Sequence, residues 1–363
     1  MTMNVSVPGA LSAAPNVFSH VTAPAAAFIA ANNFDRSTMV RSRDKVAAQY
    51  DALKVGLGYA DIQYAVKANP AAEVIRTLVR KGSGFECASR GEIELCLSQG
   101  ARPSGISFGN TIKRAADVAF AHGAGIKLFA ADSEAELEKI ARHAPGARVY
   151  MRLIVENAPA DWGQSRKFGC AGSLLPGLLD CARDLGLVAY GLSFHVGPQT
   201  QKPAFWNPVL DQVAALWHAA HAAGHDLQLL NVGGGFPAYY GQKIEDPGRY
   251  AASVVRAIEV RFGTVPHLTV EPGRGMVADA GLTAGEAIRY QLITPHDGGE
   301  TGPCVLAGPP FDSADVLNEK RPVQLPVSLR DGDNAMIRCC GPHTISYSYV
   351  GLNGFPPLDV TVF

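Results

Sequence analysis

The chain has 363 residues, of which 47% are hydrophobic and 18% charged, and its 32 basic and 33 acidic residues give a formal net charge of -1. This length and composition predict a globular protein with a large core and two domains. Because the charges are balanced and form no long run of one sign, we exclude nucleic acid and membrane surfaces as partners and expect a small molecule.

The first 35 residues match no repeating element pattern, and the first basic residue is Arg36. This segment therefore lacks the basic start of a secretory signal and the arginines of a transit peptide, and no apolar run is long enough to span a bilayer. The seven cysteines are odd in number and none forms a C-x-x-C pair, which fits a reducing compartment. We expect a cytoplasmic protein.

Short β-branched and aromatic runs then alternate with helical stretches, which is typical of βα units around a parallel sheet. Two of the helices begin with an S-x-x-E capping box, at Ser89 with Glu92 and at Ser133 with Glu136. Eight units in a row predict an α/β protein with a closed (β/α)8 barrel of the TIM type, rather than an open doubly wound sheet. The predicted strands are residues 63–66, 84–87, 105–108, 126–130, 148–153, 188–194, 227–232 and 267–270.

The βα rhythm stops after about Arg274, where the chain becomes rich in Pro and Gly with short apolar stretches. This change predicts a separate β-rich domain. We expect a barrel domain at residues 36–274, and a β-rich domain built from the N- and C-terminal segments, residues 1–35 and 275–363.

Polar residues or glycines lie at the C-terminal ends of seven of the eight predicted strands. In a barrel of this type the active site lies at the C-terminal ends of the strands, so these residues are candidates for catalysis and binding. They are Lys67, Glu86, Asn110, Arg152, His195, the run Gly233-Gly234-Gly235 and Glu271.

Each candidate has a functional and a structural interpretation. Apolar neighbours of Lys67 favour imine chemistry, although a lone lysine is usually a surface residue. The glycine run allows close approach to a phosphate or makes a tight turn. Glu271 and Arg274 pair with a heterocyclic nitrogen and a phosphate, or with each other. His195 stacks on a flat cofactor, acts as an acid, or is a core histidine.

Three histidines, His218, His221 and His225, fall at helical spacing. No acidic ligand accompanies them and Gly224 interrupts the helix, so a polar helix face explains them better than a metal site does.

These motifs together resemble the fold-type III pyridoxal-5'-phosphate (PLP) dependent decarboxylases, in particular the bacterial ornithine/lysine decarboxylases. The resemblance spans nearly the whole chain. It rests on YAVKAN at 64–69, GFECAS at 84–89, SRKFG at 165–169, SFHVG at 193–197, GGGFP at 233–237 and EPGR at 271–274, with further motifs at 312–317 and 353–355.

The resemblance implies an alanine racemase-like barrel, PLP bound to Lys67 as a Schiff base, and decarboxylation of ornithine or lysine to a diamine. It places His195 against the cofactor ring and Glu271 at the ring nitrogen, both as catalytic residues beside Lys67. Asp312 would reach across the interface of a homodimer with shared active sites to bind the distal amine of the substrate. The implied cofactor-binding residues are Lys67, Glu86, Arg152, His195, Gly234, Gly235, Glu271, Arg274 and His343.

Four departures from the family pattern affect substrate and phosphate binding. Phe311, which adjoins Asp312, replaces a cysteine that delivers a proton to Cα, and an aromatic ring cannot donate that proton. His343 replaces a phosphate-binding tyrosine, and Pro198 replaces a serine and has no backbone N–H. A strand-bearing stretch is missing between about residues 281 and 290, which shortens the β-rich domain.

These departures leave two alternatives beside decarboxylation of a basic amino acid. The chain is a PLP enzyme with an altered reaction or an unusual substrate, or it is a catalytically silent decarboxylase homologue that acts through protein binding. Because Lys67, His195 and Glu271 are all retained, decarboxylation is the leading interpretation.

Overall fold

The computed structural model describes the barrel almost completely and the rest of the chain in part. Its residues divide into two compact units, one formed by Val46–Ala238 with Ile244–Met276, and the other by Met1–Lys45, Tyr239–Lys243 and Val277–Phe363. The described residues are 31, 38–155, 168–197, 199–239, 243–282, 292–294, 296–304, 306–307, 316–317, 322–329, 333, 336–337 and 359–362.

Eight parallel strands close into a barrel in the larger unit, which confirms the predicted (β/α)8 fold. Strand β1 (Thr38–Arg41) precedes them in the chain. The barrel strands are β2 (Asp61–Ala65), β3 (Gly84–Cys87), β4 (Ile106–Phe108), β5 (Leu128–Ala131), β6 (Arg148–Arg152), β7 (Val188–Ser193), β8 (Leu229–Asn231) and β9 (His267–Val270).

The helices that follow the strands cover the outside of the barrel. They are α1 (Arg43–Leu57), α2 (Ala72–Lys81), α3 (Arg90–Ser98), α4 (Ala115–Gly123), α5 (Glu134–His143), α6 (Leu175–Asp184), α7 (Asn207–Ala222), α8 (Pro247–Phe262) and α9 (Arg274–Val277). Helix α2 illustrates the sequence rule, because its buried residues Val74, Ile75 and Leu78 recur at helical spacing and its end at Gly82 takes the left-handed conformation that glycine favours. None of the described helices combines the length and the apolar character that crossing a membrane requires.

The eight predicted strands all occur, and their ends differ from the prediction by at most two residues. The first barrel strand ends one residue earlier than predicted, because Val66–Ala68 forms a 3-10 turn that takes Lys67 out of the sheet. Strands β2 and β9 pair in parallel register and close the barrel, with Ile62 opposite Val270. The strand-end residues of the sequence pattern therefore lie on one rim.

Only one of the two predicted capping boxes caps its helix. The Ser89 hydroxyl accepts a hydrogen bond from the Glu92 backbone N–H at 3.3 Å. Ser133 makes no such bond with its side chain, so that prediction was wrong. The Glu136 carboxylate instead forms an ion pair with buried Lys113, whose Nζ lies 2.9 Å from Glu136 Oε1.

Short strands make up the described part of the smaller unit. Strand β1 pairs with β10 (Gly281–Leu282) in antiparallel direction and with β17 (Asp359–Val362) in parallel direction. Three further antiparallel pairs are β11 (Leu292–Ile293) with β16 (Met336–Ile337), β12 (Thr301–Cys304) with β15 (Val323–Pro326), and β13 (Leu306–Ala307) with β14 (Val316–Leu317).

Candidate active site at the mouth of the barrel

The register of the barrel strands brings the predicted site residues into two neighbouring groups. Glu86 lies opposite Ala65, two residues before Lys67, so the first group spans β2 and β3. Arg152 lies opposite Ser193, and Ser193 lies opposite Asn231, so the second group spans β6 to β8. Parallel strands present their carboxyl ends on the same rim, and both groups therefore border one cavity mouth.

An ion pair joins Lys67 and Glu86 at this rim. The Lys67 Nζ lies 3.3 Å from the Glu86 Oε2, and the lysine side chain is 54% exposed whereas the glutamate side chain is 4% exposed. The Glu86 carboxylate raises the pKa of Lys67, and burial opposes this shift. The amine is thus open to a small molecule and is kept as an ammonium ion by a buried partner.

Glu271 is a second carboxyl group near Lys67, and it lies on the loop that follows β9. Burial raises the pKa of Glu271 to about 7, and the nearby charge of Glu86 adds to the rise. Its Oε1 accepts a hydrogen bond of 2.6 Å from the side-chain amide of Asn231. The loop also contacts the Lys67 turn, because the Ala65 backbone N–H donates to the carbonyl of Pro272 at 3.4 Å.

Asn231 is a site residue that the sequence pattern did not identify. Its Oδ1 accepts a hydrogen bond of 2.9 Å from the backbone N–H of Gly233. Since a backbone N–H can only donate, the amide oxygen must face Gly233, and the NH2 group must face Glu271. Asn231 therefore joins the Glu271 carboxylate to the first glycine of the glycine run.

The glycine run forms a turn that has no room for side chains. Gly233 and Gly235 have φ angles of +68° and +101°, in the left-handed region that disfavours other residues. A Cβ at Gly234 would lie 2.9 Å from the carbonyl oxygen of Glu271, and one at Gly235 would lie 2.7 Å from the Val196 side chain. These contacts explain why the run consists of glycines, and the phosphate site expected from the sequence stays a prediction.

His195 lies beside this turn. Its Nδ1 would be 3.3 Å from a Cβ at Gly233, so the ring borders the glycine run. Burial lowers the pKa of His195 to about 3, and the positive charges of Lys67, Arg152 and Arg274 contribute further. The imidazole is therefore neutral at physiological pH, which favours ring packing or a neutral hydrogen bond over proton donation.

Glu92 is a third carboxyl group near Lys67 and was interpreted from the sequence only as part of a capping box. Its Oε2 accepts a hydrogen bond of 2.7 Å from the Ala88 backbone N–H. Burial raises the pKa of Glu92 to about 7. The signal that was available is its position six residues after Glu86, on the first turn of the helix that begins at the rim.

Asn110 belongs to a neighbouring loop that a buried lysine holds in place. The Asn110 side-chain amide donates to the carbonyl of Ala88 at 3.2 Å. The Lys113 ammonium donates to the carbonyls of Asn110 and Ala130, at 2.8 and 2.6 Å, and its side chain is 0% exposed. This loop is thus fixed by charge-assisted hydrogen bonds rather than by packing alone.

Several residues of the sequence analysis lie outside the described residues. They are Pro198, Phe311, Asp312, His343, the first part of the 165–169 motif and most of the shortened segment near 281–290. The three helical histidines do not converge, since the His218 ring contacts the carbonyl of Arg261, and His225 lies 3.5 Å from Asp180. Within the described part of the chain, no group of three or more His, Cys, Asp or Glu side chains is arranged to hold a metal ion.

The chain is similar in sequence to known decarboxylases. The family described as "Pyridoxal-dependent decarboxylase, pyridoxal binding domain" matches residues 43–278. A lysine/ornithine decarboxylase from Selenomonas ruminantium is 31% identical over 354 residues, which cover 90% of this chain and 89% of that protein. The decarboxylase flvG from Aspergillus flavus is 35% identical over 218 residues, which cover 60% of this chain and only 50% of flvG.

The fold comparison extends the match to a solved structure that contains PLP and cadaverine. The crystal structure of SrLDC in complex with PLP and cadaverine aligns with a TM-score of 0.84 and 28% sequence identity. The alignment covers 94% of each chain. The likeness therefore includes the smaller unit as well as the barrel.

Proposed function

This chain belongs to the pyridoxal-dependent decarboxylases, and we propose that it removes the α-carboxylate of a basic L-amino acid, ornithine or lysine, to give a diamine. The observation that carries the proposal is the pairing of two charged clusters at one rim. Lys67 lies 3.3 Å from Glu86 on one strand pair, and Glu271 lies 2.6 Å from Asn231 beside the glycine turn.

The residues present fit pyridoxal phosphate. An exposed lysine amine is available for the aldehyde, a buried carboxylate for the ring nitrogen, and a turn without Cβ atoms for the phosphate. Lys67, Glu271, Gly234, Gly235 and Arg274 would hold the cofactor. Glu86, Arg152 and His195 line the same rim and would border its ring.

Pyridoxal phosphate, when bound, supplies an electron sink that accepts the electron pair of the bond between Cα and the carboxylate. The Glu271 carboxylate would hold the proton on the ring nitrogen that this sink requires, and Asn231 keeps the carboxylate aimed by donating to Oε1. The Lys67 amine would hold the cofactor, and it donates a hydrogen bond to the Glu86 carboxylate at 3.3 Å in the cofactor-free protein. Neutral His195 would pack against the ring without adding a charge.

The choice of a basic amino acid rests on the relatives. The Selenomonas protein is named for lysine and ornithine, and the SrLDC structure holds cadaverine, which is a diamine. The distal ammonium group of such a substrate needs an acidic partner, and Asp312 is the residue that we assign to it. We propose that Asp312 acts across a homodimer interface, and that the residue ranges 36–274, 1–35 and 275–363 define the two domains.

A catalytically silent homologue is the second candidate. The observation that favours it is Phe311, since phenylalanine stands where the family carries a proton-donating cysteine. The retained residues Lys67, His195 and Glu271 favour catalysis. An intermediate candidate is a PLP enzyme whose reaction or substrate has changed.

Product analysis separates these candidates. The protein loaded with PLP is incubated with L-ornithine and with L-lysine, and CO2 and the amine product are quantified. We expect CO2 and putrescine or cadaverine from the wild-type protein, no turnover from Lys67→Ala, and normal turnover from Lys127→Ala, which changes an exposed lysine at the opposite end of the barrel. CO2 with a different product would indicate an altered reaction, and bound PLP without turnover would indicate the silent homologue.

A further inference from the structure

Gly109 lies directly after β4 and makes room for one particular side chain. A Cβ built on Gly109 would lie 2.8 Å from both Cγ and Cδ of Glu86, and closer still to Oε1. All three of its nearest neighbours belong to Glu86. A separation under 3 Å from three atoms of one buried side chain is not tolerated without movement of that side chain.

The backbone of Gly109 does not itself require glycine. Its φ angle is not among the positive φ angles of the described glycines, so other residues can adopt this conformation. Conformational freedom therefore does not explain why residue 109 is a glycine. The explanation is that the Glu86 side chain occupies the space where a Cβ would lie.

The backbone of Glu86 cannot move aside while the sheet stays intact. The strand register fixes it between Ala65 on β2 and Ser107 on β4, and the residue is 3% exposed. The Gly109 backbone N–H also donates to the carbonyl of Cys87 at 2.9 Å, which holds the two segments at a set distance. A side chain at residue 109 would therefore displace the Glu86 carboxylate rather than the backbone.

We propose that Gly109 and Glu86 form a matched pair, in which the missing Cβ of Gly109 admits a glutamate and sets its carboxylate against the Lys67 amine. Gly109 is thus a positioning residue for Lys67, although it touches neither the amine nor a ligand. The inference concerns the cofactor-free protein and holds whether or not the chain catalyses decarboxylation.

The pairing has a defined chemical consequence for the amine. Glu86 is the largest cause of the raised pKa of Lys67. When the carboxylate is pushed away, the ammonium ion loses its nearest counter-charge, 3.3 Å from Nζ, and a larger share of Lys67 is deprotonated at a given pH. Only the deprotonated amine is a nucleophile, so its acylation rate reports the position of Glu86.

The test is a double-mutant cycle with Gly109→Ala, Glu86→Ala and the combined variant. Alanine at residue 86 removes Cγ, Cδ and Oε1, the three atoms that a Cβ at residue 109 would meet. Acylation of Lys67 by acetic anhydride in the cofactor-free protein is followed by peptide mass spectrometry, with Lys127 as internal reference. Thermal unfolding of each variant is measured in parallel, and Gly177→Ala, where a Cβ meets no atom within 4 Å, is the control.

We expect Gly109→Ala to lower Tm by about 2–12 °C, given the usual cost of overpacking and the size of the chain. It should also raise the acylation rate of Lys67 several-fold at pH 8. In the Glu86→Ala background, Gly109→Ala should change neither Tm nor the acylation rate of Lys67. If Gly109→Ala alone does not fold, a folded double variant supports the pair.

Three outcomes would overturn the inference. In the first, Gly109→Ala lowers Tm equally with Glu86 and with alanine at residue 86, and in the second, it leaves the acylation of Lys67 unchanged in the presence of Glu86. In the third, Gly109→Ala fails to fold in both backgrounds while Glu86→Ala folds. Failure of decarboxylation would leave this inference intact, because neither readout needs cofactor or substrate.

Discussion

Replacing Asn231 by aspartate tests whether the Asn231 amide keeps Glu271, the proposed partner of the cofactor ring nitrogen, ionised. The change is isosteric and leaves Oδ1 free to accept the hydrogen bond from the Gly233 N–H. It replaces the NH2 group, which donates to Glu271 Oε1 at 2.6 Å, with an oxygen that carries negative charge. The residue is 1% exposed, so water cannot take over the lost hydrogen bond.

The size of the effect follows from the contact that is lost. A hydrogen bond to a charged group contributes about 1.5–3 kcal/mol, and one pKa unit corresponds to about 1.4 kcal/mol. The pKa of Glu271, which burial raises to about 7, should therefore rise by about one to two further units. The two carboxyl groups would then share one proton at neutral pH, and roughly five- to fiftyfold less Glu271 would be ionised at pH 7.

The assay is the rate of CO2 release between pH 6 and pH 9, together with the dissociation constant for PLP. We expect Asn231→Asp to lower kcat at least about fivefold at pH 7 and to recover part of it as pH rises. Asn207→Asp, at the start of helix α7, is the control, because a helix N-terminus tolerates a negative charge. An unchanged pH profile and unchanged PLP affinity in Asn231→Asp would refute the assigned role of the amide.

Three further predictions concern the barrel rim. Lys113→Met should lower the free energy of unfolding by about 3–5 kcal/mol in urea, because it leaves buried Glu136 without its fully buried partner. Lys139→Met should cost less, because Lys139 pairs with the same carboxylate but is itself partly exposed. Gly235→Ala should weaken PLP binding at least about tenfold, as measured by equilibrium dialysis, because φ is +101° and the new Cβ would lie 2.8 Å from the carbonyl oxygen of Gly197. The control Gly177→Ala should leave PLP binding unchanged. Burial lowers the pKa of His195 to about 3 in the folded protein, whereas in the unfolded chain the pKa is about 6.5. The unfolded chain therefore binds a proton between these two pH values and the folded protein does not. The contribution of His195 to the free energy of unfolding is thus complete above about pH 6.5 and decreases as the pH falls towards 3. Urea unfolding of the cofactor-free protein should therefore lose more stability from pH 7 to pH 5 than His195→Gln does, and equal losses would contradict the prediction.

The sequence predicts the barrel and the charged residues of its rim because both follow from local patterns. Alternating apolar runs locate the strands, and the rule that sites lie at strand ends then selects Lys67, Glu86 and Glu271. The resemblance to known decarboxylases assigns them roles. Each of these inferences uses residues that are neighbours in the chain.

The partners of these residues are not predictable in the same way. The amide of Asn231 matters because Glu271 lies beside it, 40 positions further along the chain. Gly109 matters because a side chain on the adjacent strand fills the space where its Cβ would stand. Glu136 fits a capping motif but instead pairs with Lys113, because a buried ammonium group needs a counter-charge more than the helix end needs a cap.

The visible absorption spectrum of the purified protein with PLP tests the central claim most directly. The claim is that Lys67 holds the cofactor at the rim between Glu86 and Glu271. We predict a band that is present in the wild-type protein and in Lys127→Ala, absent in Lys67→Ala, and shifted by L-ornithine or L-lysine. A wild-type spectrum identical to that of Lys67→Ala at saturating PLP would contradict it.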